Sequence, residues 1–392
     1  MVEYIIFISW RKDYDCILTP IISVNLSKST ALYFLIIFAP IALVLEFIYP
    51  SPLLIFIFAV IGLIPLAKLI GESTEHLATH YGPTLSSLLN VTFGNATEII
   101  IGIAAMSTGL LDLVKASITG SIISNILLSF GLCLIVGGFK QKEQFFNKEN
   151  TGIQSSMLFL AIIGLAVPTI LAVTVLKPTS AVAHQEDIQF ISYALAYVLL
   201  GVYVASIIFT FVTHKHLFAI RPMDQSHDVD DERVRSGDLH WSKKKSIILL
   251  GASVIGVVLV SEVLVSSVEV TIKQFGLSEM FVGAIVVGIV GNAAEQSSAI
   301  MLARRGKLDL SIALAAGSGT QIAIFVVPIL VIAGIVVNSQ FNLVFTIYEL
   351  AVVFLGALIF TLIAHDGKGN WFEGIMLIAV YIIVAVGFFF IR

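Results

Sequence analysis

The sequence predicts an all-α integral membrane protein of about eleven transmembrane helices: one N-terminal helix followed by two inverted five-helix repeats. Three observations lead there. The 392 residues are 58% hydrophobic and only 12% charged, with a mean hydropathy of +1.00. A soluble domain carries about a quarter charged residues, so most of this surface does not face water. The apolar residues gather in stretches close to the ~20 that a helix needs to cross a bilayer. Finally, one block of sequence recurs with its polar residues in register.

The predicted spans lie near 31–48, 52–71, 84–106, 113–138, 155–176, 188–213, 245–271, 279–302, 309–337, 342–365 and 371–391. Lysine and arginine orient them. With the N-terminus in the cytoplasm and strict alternation, the outer segments hold only Lys177, Lys273 and Arg392. The inner segments hold nearly all the rest, including Arg11, Lys140, Arg221, Lys243 and Arg304. This is the asymmetry of the positive-inside rule. Trp10, Trp241 and Trp371 stand beside span ends, which suits amphipathic rings at a membrane interface. The first apolar stretch, Tyr4 to Trp10, is too short for a cleavable leader and runs into Arg11, Lys12 and Asp13.

The division that follows is a cytoplasmic lead with the first helix (1–50), a first repeat (51–213), an acidic cytoplasmic linker (214–244) and a second repeat (245–392). The linker holds Asp228, Asp230, Asp231 and Glu232. It reads as a solvated connection, or as a regulatory cation contact through those four acids. The net charge of −4 supplies no basic field for nucleic acid. Cys16 and Cys133 form neither a disulfide framework nor a thiolate metal pattern.

The repeat is found by laying residues 94–121 on 291–318 without a gap. Gly94, Asn95, Ala96 and Glu98 meet Gly291, Asn292, Ala293 and Glu295; Asp112, Gly120 and Ser121 meet Asp309, Gly317 and Ser318. Apolar helices share leucines by chance, but they do not share Asn, Glu, Asp and Ser in register. Each half holds five spans, and an odd number inverts the second copy, an architecture common among secondary transporters.

Glu98 and Glu295 fall well inside their spans. A charge at the bilayer centre costs roughly 2.5–3.5 kcal/mol by insertion scales, so two would cost about 5–7 kcal/mol unless neutralised. A structural carboxylate bonded between helices is the plain alternative, but it must arise twice. Within each Gly-Asn-Ala-x-Glu, Asn95 and Glu98, or Asn292 and Glu295, stand on one helix face. Gly94 and Gly291 weaken the helix just before them. A break there frees backbone carbonyls to face a cavity. Carboxylate, amide oxygen and carbonyl make a hard, all-oxygen set of the kind Ca²⁺ takes, and no Cys or His nearby favours a softer metal.

The next spans add Ser121, Ser124 and Asn125, matched by Ser318 and Gln321. For the serines, ordinary interhelical hydrogen bonding is as good a reading as a place in the site; Asn125 and Gln321 are costlier to bury and point to the site. Glu75 and Glu269 form a second candidate pair near span ends, read equally as site entrance or as surface. Asp112 and Asp309 read as acids meeting helix N-termini. Two buried carboxylates around one cavity can hold a divalent cation or protons, and alternation between these is a means of coupling an antiport.

Gly94-Asn-Ala-Thr-Glu98 and Gly291-Asn-Ala-Ala-Glu295, with Lys307-Leu-Asp-Leu310 and Gly317-Ser-Gly-Thr-Gln321-Ile-Ala-Ile-Phe-Val-Val-Pro328, closely resemble the Ca²⁺/H⁺ antiporter (CAX) family of the cation/calcium exchanger superfamily. The resemblance runs from about residue 30 to the C-terminus. It implies that Glu98 and Glu295 carry Ca²⁺ and H⁺; that Asn95, Asn292, Ser318, Gln321 and Ser121 line the path; and that Glu75 is an accessory carboxylate. It also implies a gradient-driven exchanger, not an enzyme, needing no cofactor or ATP. Two positions depart from the pattern: Gln296 where His is frequent, and Gly319 where Ser is common. The transported ions and the lipid bilayer are the expected partners, with a homo-oligomer left open and a microbial plasma (inner) membrane the favoured location. Na⁺/Ca²⁺ exchange, Mn²⁺/H⁺ exchange and a passive cation channel stand as alternatives. A membrane hydrolase finds no nucleophile with a base partner.

Overall fold

Apolar stretches bounded by capping residues become long helices. The computed structural model describes residues 33–49, 51–81, 89, 92–139, 141–174, 181–214 and 241–391. The chain divides into two units, Met1–Phe34 and Leu35–Arg392, and all the architecture below belongs to the second. The lead at 1–30, with Trp10, and the linker acids Asp228, Asp230, Asp231 and Glu232 lie outside the described residues.

The helices are α1 (Leu35–Ile48), α2 (Pro52–Ala78), α3 (Ala96–Ser107), α4 (Leu111–Gly138), α5 (Lys148–Thr174), α6 (Ala181–Ile208, running on as Phe209–Thr213), α7 (Lys243–Phe275), α8 (Glu279–Gly291), α9 (Ala293–Arg304), α10 (Leu308–Val336), α11 (Ile347–Ala364) and α12 (Trp371–Phe390). Among the described residues, eight helices are long and apolar enough to cross a membrane, or nine if the bent pair α8–α9 is one span. The stretches expected at 31–48 and 84–106 contribute the shorter apolar helices α1 and α3. A two-residue antiparallel ribbon pairs Gln144–Phe145 with Lys368–Gly369. The protein is a mostly helical, multi-pass membrane protein.

Local chemistry sets the ends. Ser242 caps α7 by accepting from the Lys245 N–H, and Gly276 stops it in the left-handed conformation (φ 63°). Thr346 with Glu349, and Asn370 with Glu373, form reciprocal capping boxes that start α11 and α12. The first of these moves the start of α11 from the expected 342 to Ile347. Asp112 and Asp309 stand in the first turns of α4 and α10, where an acid meets the positive end of the helix. Trp241 stacks on His76 with Lys245 above its ring, while Trp371 is half exposed at the start of α12.

The backbone repeats along with the sequence. Asn95 (φ −95°, ψ 12°) and Asn292 (φ −95°, ψ 4°) interrupt their helices in the same conformation. Gly109 and Gly306 close the turns that follow, at φ 82° and 83°, values an L side chain rarely adopts. α4 widens into a π segment at Ser124–Ser129, and α10 does so at the matching Ile322–Val326. Such bulges concentrate at functional sites.

The copies interlock at the centre. α2 packs along α7, and α4 crosses α8. At that second crossing a Cβ on Gly120 would lie 1.9 Å from the Ala284 carbonyl oxygen, and one on Gly288 would lie 2.7 Å from the Gly120 carbonyl carbon. Ala116 and Gly283 meet one turn away. Helices in lipid gain no hydrophobic drive toward one another and associate by close van der Waals packing through small residues; this crossing holds the two motif regions against each other.

Candidate cation site

Each Gly-Asn-Ala-x-Glu motif breaks a helix at its Asn and restarts it, which puts the Glu in the first turn of a new helix. α8 and α9 meet at 57° across Asn292. Glu98 is in the first turn of α3 and Glu295 in the first turn of α9. Both stand at the positive end of a half-helix, where a carboxylate is favoured.

The two motifs face each other. A Cβ built on Gly94 would lie 2.8 Å from Glu295 Oε1, and one on Gly291 would lie 3.3 Å from Glu98 Oε1. The glycine of each copy therefore seats the carboxylate of the other. Spacing alone accounted for these glycines as helix breakers; the close approach of the partner carboxylate is a second reason for them. Glu98 Oε2 and Glu295 Oε2 are enclosed and have no hydrogen-bond partner; Glu98 feels the charge of Glu295 across the two copies, and Glu295 has Ser318 of its own copy as a hydrogen-bond neighbour. Enclosed carboxylate oxygens without donors suit a cation or a proton.

Neutral oxygens and amides surround the pair. Asn95 Nδ2 donates to Gln321 Oε1 (3.1 Å), and Asn125 Nδ2 donates to Asn292 Oδ1 (2.7 Å). The carbonyl of Gly288, one turn before the break, accepts from Asn292 Nδ2 at 2.9 Å, from Ser124 Oγ at 3.4 Å and from Ser121 Oγ at 3.5 Å. The interruption at Asn292 thus leaves a carbonyl that side chains satisfy. Ser318 donates to the Leu314 carbonyl (2.9 Å) and is also a hydrogen-bond neighbour of Glu295. Asn125 Oδ1 is buried without a donor.

The structure thus gathers Glu98, Glu295, Asn95, Asn292, Ser121, Ser124, Asn125, Ser318 and Gln321. It does not bring Glu75 or Glu269 to them. Both are exposed on the last turns of α2 and α7, and Glu269 is held by Lys273, four residues on, at 2.6 Å. Among the described residues, no three His, Cys, Asp or Glu side chains form a metal-binding group. Two carboxylates with neutral oxygens are a lean donor set for Ca²⁺, suited to a cation that must also leave.

Three residues that sequence reasoning left out of the site belong to its surroundings. Gln296 is buried and donates to Ser124 Oγ at 3.0 Å, tying α9 to α4; its place beside Glu295 was visible, but its partner was not. Gln154 of α5 accepts through its carbonyl from Thr320 Oγ1 (3.3 Å), and its amide lies near Gly317. Ser117, one turn before Ser121, lines a cleft with Glu98. Gly319 also acquires a reason: a Cβ there would meet Ile126 Cγ2 at 2.9 Å, so a serine would require Ile126 to move.

The profile of the family described as sodium/calcium exchanger protein matches residues 51–212 and again 245–390, on either side of the linker. The chain belongs to this family. A Ca²⁺/H⁺ antiporter of Aphanothece halophytica is 40% identical over 372 residues, covering 93% of this chain and 98% of that one. The Ca²⁺/H⁺ antiporter ChaA of Bacillus subtilis is 38% identical over 342 residues, covering 87% and 93%. The solved structure of the Ca²⁺/H⁺ antiporter protein YfkE matches with a TM-score of 0.76 at 34% identity, covering 92% of this chain and 99% of that one. These family members are named as transporters, and their likeness spans nearly the whole chain.

The facing geometry makes a prediction. Gly94→Ala drives a methyl toward Glu295 Oε1, and the carboxylate, the flexible end of a side chain, turns away. Ca²⁺ KM is expected to rise about tenfold or more, as misplaced groups typically cost, with little change in Tm. Radiolabelled Ca²⁺ flux and a thermal melt of the purified variant check both.

Proposed function

We propose that this protein exchanges Ca²⁺ for H⁺ across a membrane by alternating access, with Glu98 and Glu295 holding either the cation or protons near the bilayer midplane. The observation that carries this reading is the reciprocal seating of each carboxylate on the other motif's glycine. It makes one site from two copies. Two neighbouring carboxylates removed from water are not stable as bare charges. A divalent cation neutralises both together, and so does a proton on each. A site that is always filled by one or the other moves one species only in return for the other.

The remaining parts have defined tasks in this reading. The half-helix ends at Asn95 and Asn292 supply fixed dipoles. Asn95, Asn292, Gln321, Ser121 and Ser318 supply neutral oxygens whose field is weak enough to release Ca²⁺. The interlocked crossings of α2 with α7 and α4 with α8 are where one repeat would rock against its inverted partner. The Lys and Arg distribution supports a cytoplasmic N-terminus, and the bacterial relatives support a bacterial-type plasma membrane. No cofactor enters the scheme; the driving energy is the proton gradient.

The test is uptake of radiolabelled Ca²⁺ by proteoliposomes under an imposed pH gradient, compared with an imposed Na⁺ gradient. Uptake is expected to follow the pH gradient and to ignore sodium. Uptake that follows sodium would transfer the chain to Na⁺/Ca²⁺ exchange, and flux indifferent to both gradients would make it a channel.

A further inference from the structure

A narrow cleft of about 10 Å³, room for about one water, adjoins Glu98. Its polar lining is Glu98, Ser117, Ser121 and Gly291, and its apolar walls include Ile101 and Leu330. These residues lie on one side of the Glu98–Gly291 level. Ile101 is further along α3 toward Ser107, Ser117 is one turn toward the Leu111 start of α4, and Leu330 is on the Val336 half of α10. That is the end of the bundle which the lysine and arginine distribution assigns to the outside. Ser117 donates its hydroxyl hydrogen to the Val114 carbonyl at 2.8 Å, which leaves both lone pairs of the oxygen for a cation. Leu330 rests on Gly102, one turn beyond Glu98: a Cβ there would lie 2.8 and 2.9 Å from the two Leu330 methyls.

The second copy differs at each of these positions. In the register of the repeat, Ser117 becomes Leu314 and Gly102 becomes Ala299; carried past the matched block at the same offset, Leu330 falls on Cys133. Ala299 and Cys133 are both fully buried. The symmetry that governs the carboxylates is therefore broken one turn away from them, and the break favours a polar wall with an apolar stop on the Glu98 side.

We infer that this cleft is the passage by which the cation reaches Glu98 from the Leu111 end of the bundle, that Ser117 is a further cation-contacting oxygen on it, and that Leu330 seated on Gly102 is the contact that closes it. The inference rests on the exchange reading above and adds a route and a closing residue to it.

Ser117→Cys in a Cys16→Ser, Cys133→Ala background tests it. The purified full-length protein is labelled with a cationic methanethiosulfonate reagent, with and without Ca²⁺, and then reconstituted for flux. With Ca²⁺ at about ten times its Kd, mass action leaves about one-tenth of sites open, so labelling is expected to slow about tenfold. The labelled protein should lose pH-driven uptake, and Leu330→Ala should speed the labelling. Ser117→Ala, which removes only the oxygen, should raise Ca²⁺ KM about fivefold with kcat retained. A parent protein that transports, beside an introduced thiol that is unreactive, unprotected by Ca²⁺ or harmless when labelled, would overturn the passage and leave the exchange reading standing. A parent protein without pH-driven uptake would instead remove the exchange reading itself.

Discussion

Glu98→Gln and Glu295→Gln are each expected to reduce pH-driven Ca²⁺ uptake by about 100-fold or more, while the purified variants should melt at or slightly above the wild-type temperature. Gln keeps the shape and one carbonyl oxygen of Glu but removes the charge and the exchangeable proton. Unit charges about 4 Å apart interact by about 4 kcal/mol at an effective dielectric constant near 20, and the cation is divalent. Losing even the part of this that survives desolvation exceeds the roughly 2.7 kcal/mol that corresponds to 100-fold. Stability moves the other way because the wild-type oxygens Glu98 Oε2 and Glu295 Oε2 are enclosed without donors, an arrangement that costs folding free energy. Flux measurements paired with thermal melts separate this outcome from simple misfolding, which would lower both.

Gly120→Val is expected to prevent the protein from accumulating as a folded, monodisperse species. A Cβ at Gly120 falls 1.9 Å from the Ala284 carbonyl oxygen and 2.4 Å from its Cα. Those atoms are backbone, so no rotamer change relieves the overlap and α4 must separate from α8. Overpacking that side chains can absorb already costs typically 1–3 kcal/mol, and a forced helix separation costs more. Gly251→Ala is the control: it lies in α7 with nothing within 4 Å of its Cβ position. There the gain in helix propensity, about 0.5–1 kcal/mol, should leave or raise Tm. Size-exclusion profiles of the two variants, expressed side by side, decide it.

Much of the site was legible from residues 94–121 and 291–318, because polar residues that repeat in register inside apolar spans have few explanations. Asn95, Glu98, Asn292, Glu295, Ser121, Ser124, Asn125, Ser318 and Gln321 all arrive in one place. What a linear reading does not contain is the pairing across copies. That Gly94 faces Glu295 and Gly291 faces Glu98, or that Gln296 reaches Ser124, depends on how α3 and α9 are set against α4 and α10. Those placements follow from close contacts such as Gly120 on Ala284, and the sequence records them only as a glycine. The same blindness left Glu269 a candidate: its spacing imitates Glu75, but its neighbour one turn on is Lys273, and both project from the last turns of α7. Ser117 escaped notice because its repeat mate is Leu314, so a search by symmetry passes over it. The length of α2, which runs to Ala78 and not to 71, reflects polar residues continuing a helix past its apolar part, which hydropathy alone does not report.

The central claim is that Ca²⁺ and H⁺ compete for one site made by Glu98 and Glu295. The most direct measurement is proton release on adding Ca²⁺ to the purified protein in weakly buffered detergent solution, for wild type and for the Glu98→Gln, Glu295→Gln double variant. Wild type should release protons in proportion to the Ca²⁺ bound, and the double variant should release none and bind none at this site. Ca²⁺ binding without proton release in wild type, or undiminished release in the double variant, would contradict the claim.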